Sequence, residues 1–392
     1  MSWLTGSLPS TRERFALAAL AKREPFVKLC HRFHIARSTG YKWVHRFRRH
    51  GREGLRNRSR RPHRSPRQLT WRWQAALRQL RRHQPTWGSR KLRARLRQLH
   101  PRVHLPVPRT LSRWLRRLKL VSPRPRHQRP GPQLPPRKRT AARVPNDVWT
   151  LDFKGWFRTG DGTRVEPLTV RDLKSRFLLD VRLLPNQSEA HTRRALTRLF
   201  RRYGLPKVIR VDNGPPFGGV GPRGLSRLSV WWRRLGIAVE FGRPAHPQDN
   251  AGHEQMHGVY QIEVAAHPAG HPRAHQRRSD RWRANYNRIR PHEALGLQPP
   301  AQHYRVSCRP MPESLPAWIY PSAWDQRRVS PDGRLFWQGR QRFIGRAFGG
   351  EIVGLQRQPA GVWKVFLGSD LLGLLYHKDR SRSLRPARQF HR

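Results

Sequence analysis

Acidic residues are scarce in this chain of 392 residues: 23 Asp and Glu stand against 82 Lys and Arg, a formal net charge of +59. Such a charge repels itself unless a polyanion shares the surface. DNA or RNA is the natural partner, because each neutralised phosphate releases condensed counterions. A compositional bias toward Arg contributes to the excess without removing this consequence. Cysteine is almost missing, with only Cys30 and Cys308, far apart in sequence. That excludes a disulfide scaffold or a Cys-rich zinc site as the organising principle. It fits a reducing interior, and a cytoplasmic, nucleoid-associated location is expected. No apolar run reaches the roughly 18 residues of a membrane span, and no long apolar stretch follows Met1-Ser2-Trp3-Leu4-Thr5. Neither a signal peptide nor membrane association is therefore expected.

What is present argues against a small coating protein. The length allows two to four domains at about 100–200 residues each, and 15 Trp signal built cores. Residues 1–60 read as a helix-turn-helix. Phe26, Val27, Leu29, Cys30 and Phe33 recur at helical spacing, and Ser38 is placed to cap a second helix through Tyr41, Val44 and Phe47 that Gly51 stops. The early side chains of that helix, Arg37, Ser38 and Lys42, are candidates for reading DNA in the major groove. Arg56 to Arg67 is a basic linker. Residues 68–121 form a second helical unit, with Trp73, Leu77 and Leu80 on one face and further helices from Pro85-Thr86-Trp87 and Pro106-Val107-Pro108. Arg90, Lys91, Arg109 and Arg113 are its candidate DNA contacts. Residues 122–145 are a Pro/Arg-rich linker, extended and semi-rigid, that separates the DNA-reading half from the rest.

The texture changes at residue 146. Val148 to Phe153, Val165 to Val170 and Phe177 to Leu184 read as strands, with Arg171 to Ser175 as a turn. Ser188 to Tyr203 is a helix stopped by Gly204, Lys207 to Asp212 a strand, Leu225 to Leu235 a helix, Ile237 to Phe241 a strand and Ala251 to Ala266 a helix. Three strands followed by strands alternating with helices imply a mixed sheet flanked by helices, over residues 146–310. Short strands between Gly and Pro turns over 318–380 imply a small β-barrel or sandwich, with a hairpin at Gln338-Gly339 and with Phe336, Trp337, Phe343 and Trp363 as core. A basic tail, 381–392, is expected to lack order, as is everything beyond Lys378.

With so few carboxylates, their placement is informative. Asp152 lies in the apolar strand Trp149-Thr150-Leu151-Asp152-Phe153, Asp212 ends Val208-Ile209-Arg210-Val211 and runs into Asn213-Gly214-Pro215-Pro216-Phe217, and Glu254 follows Pro247-Gln248-Asp249-Asn250 on a helix. A carboxylate at an apolar strand costs several kcal/mol unless it is paired or binds a cation. Three that converge call for Mg²⁺ or Mn²⁺. Two such ions, about 3.5–4 Å apart, suit phosphoryl transfer without a covalent enzyme intermediate.

These residues resemble the catalytic core of insertion-sequence transposases, which share the ribonuclease-H-like fold with retroviral integrases. The likeness rests on Asp152 in its strand, Asp212 before Asn-Gly-Pro-Pro-Phe, and Glu254 four positions after Asn250. Two further stretches carry it: Leu225 to Ile237 before the last acid, and Tyr286-Asn287-Arg288-Ile289-Arg290-Pro291-His292-Glu293-Ala294-Leu295. The resemblance implies a multidomain α+β protein with helix-turn-helix modules, a ribonuclease-H-like mixed α/β core and a small C-terminal β-barrel. It implies Asp152, Asp212 and Glu254 as catalytic metal ligands holding Mg²⁺ or Mn²⁺, two ions in all. It further implies recognition of terminal inverted repeats, cleavage to 3′-hydroxyls, and joining to double-stranded target DNA by a homo-oligomer assembled on DNA. Lys154, Asn213 and Asn250 are candidate phosphate contacts or organisers of the acids.

The chain departs from the family pattern at Ala251, where Gly usually stands, and at Gln255, where Arg usually stands. The segment between Asp212 and Glu254 is also lengthened by the Gly-rich stretch 218–224. These departures leave room for a rival: a decayed or domesticated copy that binds DNA without cutting it. A general basic coating protein does not explain the ordered motifs. His253-Glu254-Gln255-Met256-His257 matches a zinc-protease string, but nothing else in the chain supports a third zinc ligand. The His pair is read instead as touching DNA or supporting the acids. Arg290 and His292 are read as organising the end of the core.

Overall fold

In a computed structural model, residues 8–58, 70–121, 139–243, 251–377 and 383–386 are described. The Arg56–Arg67 linker beyond position 58, most of the 122–145 linker, Asn250 and much of the basic tail fall outside them. Internal contacts divide the chain into two units, residues 1–68 and 69–392.

The first unit holds α1 (Leu8–Ala21), α2 (Phe26–Arg32) and α3 (Arg37–His50). Phe15, Leu29, Cys30, Ile35 and Val44 fill its centre. Gly40 lets α3 approach, since a Cβ there would meet Cys30 Sγ and Phe15 at 2.9 Å. Buried Arg12 donates to the Leu55 carbonyl at 2.7 Å and stacks 3.9 Å over Trp43, so a small core is closed by a hydrogen-bonded cation. Ser38 does not cap α3. The extended residue before the helix is Ala36, without a side-chain cap, and Ser38 sits exposed inside the first turn. Gly51 ends α3 at φ 53°, as expected.

In the second unit α4 (Trp71–His83), α5 (Ser89–Leu99) and α6 (Pro108–Arg117) enclose Leu77, Leu96, Leu105, Leu111 and Trp114. This module is not held apart by a spacer. Trp87, Leu92 and Leu115 form a patch that Ile289 of the following domain completes. A lone three-helix module buries little apolar surface, and docking it on a larger body removes more of that surface from water.

That body is a mixed sheet. Strands β1 (Val148–Phe153), β3 (Arg164–Asp172) and β4 (Leu178–Leu184) are antiparallel neighbours, with the short β2 (Phe157–Arg158) also on β3. Beyond β1 run β5 (Val208–Val211) and β6 (Ala238–Phe241), parallel to it. The strand β3 continues through Arg171 and Asp172, which the sequence reading placed in a turn. Asp172 is buried because it accepts the Asn146 and Ser175 amides at 2.7 Å and so organises the turn from within. One sheet face carries α7 (Glu189–Tyr203) and α8 (Arg227–Arg234) over Trp149, Leu151, Leu168 and Val170. The opposite face carries α9 (Ala251–Tyr260), continued by a π-turn at Gln261–Ala265, and α10 (Pro272–Arg288). Asn287 on α10 clamps β4: its amide oxygen accepts the Leu178 N–H at 2.8 Å and its NH₂ donates to the Leu178 carbonyl at 2.9 Å. No helix among the described residues is long and apolar enough to cross a membrane.

Gly204 ends α7 at φ 73°, where a Cβ would meet the Arg309 carbonyl at 2.7 Å and the Ser307 side chain at 2.8 Å. Gly204→Ala is therefore expected to cost about 1–3 kcal/mol, from a left-handed backbone and a collision together. The check is the thermal midpoint; an unchanged midpoint would contradict it.

The C-terminal domain differs from the expected barrel. Strands β7 (Asp325–Arg328), β10 (Ile352–Gln358), β11 (Val362–Leu367) and β12 (Asp370–Tyr376) form one open sheet, and β8 (Arg334–Trp337) with β9 (Arg340–Phe343) forms a separate hairpin. The edge strand β7 is Asp-Gln-Arg-Arg, exposed throughout, which blunts pairing rather than closing a ring. In the hairpin Leu335 and Trp337 point inward while Phe336 is 65% exposed, so strand alternation corrects the placing of Phe336 and Phe343 in the core. Part of the tail is ordered, contrary to expectation. Arg385 exchanges backbone hydrogen bonds with Leu374 at 2.9 and 3.0 Å, and the Leu384 N–H donates to Phe343 at 3.0 Å. Leu225 and Val230 enter the core of this domain, while Asp370 takes Arg233 at 3.1 Å, which fixes it to α8.

Candidate active site

Parallel pairing of β1 with β5 sets the first relation. Val148 lies opposite Val208 and Thr150 opposite Arg210. Carried two residues further, the register brings Asp152 opposite Asp212, at the carboxyl ends of adjacent strands and on the same sheet face. Neighbouring strands stand about 4.8 Å apart, so the two backbone positions are neighbours there. Burial of the inner side of Asp212 pushes its pKa up, although its outer edge opens to solvent, and the Gly214 amide draws it back down. Asp212 has no ion pair among the described residues.

The antiparallel partner β3 supports Asp152. Thr169 lies opposite it, and the Thr169 hydroxyl donates to the Asp152 carbonyl at 3.0 Å. The same hydroxyl lies 2.8 Å from His257 Nε2. Having donated its proton to Asp152, it accepts from Nε2–H, which assigns a neutral His257 with a bare Nδ1. Burial, and then the charges of Lys154 and Arg171, hold His257 down to a pKa of about 3, in keeping with that form. His257 Nδ1 stands 3.9 Å from Asp152 Oδ2. The Thr169–His257 bond, not this approach, seats α9 on β3 beside the end of β1.

Glu254 sits one turn before His257 on α9, in its first turn and exposed. Positions three apart are neighbours on a helix surface, so α9 carries Glu254 toward the strand ends that bear the two aspartates. Among the described residues no three acidic, His or Cys groups converge closely enough to enclose an ion. The extended register places two of the three predicted acids at neighbouring strand ends, and the third lies on α9, which packs against the same sheet face. All three offer hard oxygen donors, and Asp212 has no ion pair among the described residues; that donor set fits Mg²⁺ or Mn²⁺.

Lys154 follows Asp152 by two residues, is half-buried, and has its pKa lowered by burial. Asn213 donates to the Gly242 carbonyl at 2.8 Å and ties the ends of β5 and β6 together. Arg37, Ser38 and Lys42 are exposed on α3, and Arg109 and Arg113 are exposed four apart on α6. Arg90 and Lys91 have protein partners. Arg90 pairs with Glu293 at 2.9 Å. Lys91 is held down to about 8 by burial and by Arg290, with Glu293 and Glu263 opposing. His253 is fully buried beside His257, so the two rings pack against the sheet rather than line a cleft.

Sequence reasoning missed Thr169, Arg171 and Glu263. Alternation along β3 could have placed Thr169 and Arg171 on the face of Asp152. Glu263 had no local signal. It accepts from Trp282 Nε1 at 2.7 Å, from the Thr86 hydroxyl at 2.5 Å and from Arg290 at 3.4 Å, joining the π-turn after α9 to the second helical module. Arg290 also donates to Thr86 at 3.0 Å, consistent with an organising role at the end of the core.

The comparisons divide along the same lines. Residues 11–63 match a helix-turn-helix domain and 39–115 a homeodomain-like domain. Residues 142–247 and 235–300 match integrase core domains, and 325–380 the C-terminal domain of the IS481 family of transposases. An insertion element IS476 protein of 39.2 kDa from Xanthomonas euvesicatoria is 33% identical over 168 residues, 42% of this chain and 46% of the relative. An insertion element IS407 protein of 31.7 kDa from Burkholderia multivorans is 30% identical over 180 residues, 46% of this chain and 62% of the relative. The chain thus spans about half of the one and under two thirds of the other. The HTLV-2 integrase catalytic core domain in complex with magnesium aligns with 42% of this chain and 99% of its own, at 14% identity and a TM-score of 0.31, too loose a superposition to add weight.

Proposed function

From a chain that belongs to the insertion-sequence transposases of the integrase superfamily, we infer an enzyme that cuts and joins DNA with Asp152, Asp212 and Glu254. The observation that carries this reading is the register that, extended by two residues, sets Asp152 opposite Asp212, with α9 held to β3 beside Asp152 by the Thr169–His257 bond. The three carboxylates would hold the divalent ions. Bound there, Mg²⁺ or Mn²⁺ would polarise the scissile phosphate and lower the cost of the attacking and leaving oxygens.

The chain's own groups bind and orient. Exposed side chains of α3, Arg37, Ser38 and Lys42, and of α6, Arg109 and Arg113, would read the terminal inverted repeats. Lys154, beside Asp152, would hold the phosphate about to react. Asn213 would position the loop after Asp212 through its bond to Gly242. In the cutting step a water oxygen attacks phosphorus, the phosphodiester bond to the 3′-oxygen breaks, and that oxygen leaves with a proton as the 3′-hydroxyl. In the joining step this hydroxyl oxygen attacks a target phosphodiester and gives up its proton, and the target 3′-oxygen departs. Bond count is conserved, so no external energy source is needed. Two ends must meet, so a homo-oligomer on DNA is part of the reading.

The test is strand transfer of a labelled, pre-cut element end into plasmid DNA with Mg²⁺ or Mn²⁺, wild type against Glu254→Gln. Joining by the wild type alone supports the reading. Tight end binding with no joining by either protein would replace it with a DNA-binding protein that has lost its chemistry. A complex that stays monomeric on end DNA in gel filtration would remove the oligomer.

A further inference from the structure

We propose that Arg171 is a positioning residue that sets the first turn of α9, and with it Glu254, by gripping the backbone at Gly252. The proposal rests on the reading of Glu254 as an active-site acid. Arg171 lies on β3 opposite Thr150, two residues beyond Thr169, and so projects from the same sheet face as Asp152. It is only 4% exposed. Its Nη1 donates to the Gly252 carbonyl at 2.5 Å. The Tyr286 hydroxyl, from the signature helix α10, faces and interacts with the same guanidinium. One planar fork thus spans the sheet, α9 and α10, which a Lys ammonium on a flexible stem cannot reproduce.

Gly252 answers to this grip. A Cβ there would collide with the Arg171 guanidinium. Ala251 precedes Gly252, and the Gly stands at the position where the guanidinium lies.

Stability alone does not account for the arrangement. A buried cation costs several kcal/mol unless it is well paired. Asp172 beside it spends its oxygens on Asn146 and Ser175. Arg176 adds a like charge, and the start of a helix is the positive end of its dipole. A costly cation fixed to the turn that bears Glu254 is the kind of expense retained where geometry matters to chemistry.

The experiment compares wild type, Arg171→Lys and Gly252→Ala by amide hydrogen exchange along α9 and by strand transfer from a pre-cut end. Arg171→Lys is expected to speed exchange at Met256, the amide that bonds to the Gly252 carbonyl in a regular helix. It should slow joining by about 10–100-fold, since a displacement near 1 Å can cost that much. End-DNA affinity should stay within about twofold, because no DNA-reading side chain changes. In a Glu254→Gln background, Arg171→Lys should have no further effect on residual joining. Unchanged exchange and unchanged joining in Arg171→Lys would overturn the proposal, and so would slowed joining matched by an equal loss of DNA affinity. If Arg171→Lys does not fold, Gly252→Ala decides: it should speed Met256 exchange, and wild-type exchange would overturn the grip. A wild type that never joins DNA removes the activity reading, while the exchange arm still tests the grip.

Discussion

Asp212→Asn is expected to reduce strand transfer by at least about 1000-fold while raising the melting temperature of the metal-free protein. The first effect follows from losing an anionic oxygen donor where the phosphate reacts, a loss of several kcal/mol of transition-state stabilisation. The second follows from the register. Asp152 and Asp212 end adjacent parallel strands on one face, and two unit charges about 5 Å apart at a solvent-open edge repel by about 1 kcal/mol. Burial also pushes the Asp212 pKa up, which makes its charge costlier in the folded, metal-free protein. Asn is nearly isosteric and removes the repulsion, which gives a gain of about 2–4 °C for a unit of this size. Melting in a chelator, with and without the substitution, and joining with Mg²⁺ give the two readings. An Asp212→Asn protein that joins DNA at the wild-type rate, or that melts lower than wild type in chelator, would show that the two aspartates are not a charge-coupled pair.

Two imidazoles far from the acids are expected to contribute about 4 kcal/mol to the stability that the DNA-free protein loses between pH 7 and pH 5, with the buried His253 and His257 adding to that loss. His275 is fully buried. Its Nδ1 accepts the Ala269 amide at 3.2 Å, and its Nε2 lies 3.3 Å from the Tyr260 hydroxyl. Burial, with Arg278 adding to it, holds its pKa down to about 4. His292 meets the edge of the Tyr286 ring. Burial, and then Lys91, Arg290, Arg171 and Arg176, hold it down to about 3. In the unfolded chain both titrate near 6.5. Above that value neither state takes a proton and stability is flat. Below it the unfolded chain binds protons that the folded protein refuses until about pH 4 or 3, so stability falls as pH falls. The slope is about 1.4 kcal/mol per pH unit for each group. Urea unfolding followed by Trp fluorescence at pH 7 and 5 measures the sum. His275→Asn and His292→Phe should each lessen the loss between the two pH values by about 2 kcal/mol. A wild-type protein equally stable at both pH values would refute this account.

Much of the core was legible because its signals are local. The strand Val148–Phe153 is an apolar run, the helix before Gly204 ends at a residue that tolerates φ 73°, and α8 begins at a Ser226 capping box. The acids stood out because a carboxylate in an apolar strand has few explanations. Errors arose where a local rule met tertiary competition. Ser38 is a good cap by type, yet the chain turns into α3 two residues earlier, at Ala36. Phe336 is apolar, yet alternation in a short strand leaves it outside while Leu335 and Trp337 go in. Arg90 and Lys91 carry charge on a DNA-reading module, yet the face they occupy is the one that meets Glu293 and Arg290.

By itself, the order of residues determined the kinds of element, the positions of the three acids on them, and the family, because strand and helix periods and turn residues act over a few positions. Only the tertiary structure decided which side chains meet. The parallel register carried Asp152 and Asp212 to neighbouring strand ends, Thr169 joined His257 to Asp152, Glu263 joined the turn after α9 to the second helical module, and Arg171 reached Gly252 across 81 positions of chain. These contacts depend on the closure of long loops and on the burial of polar groups that must find partners. Neither leaves a repeating pattern in the sequence.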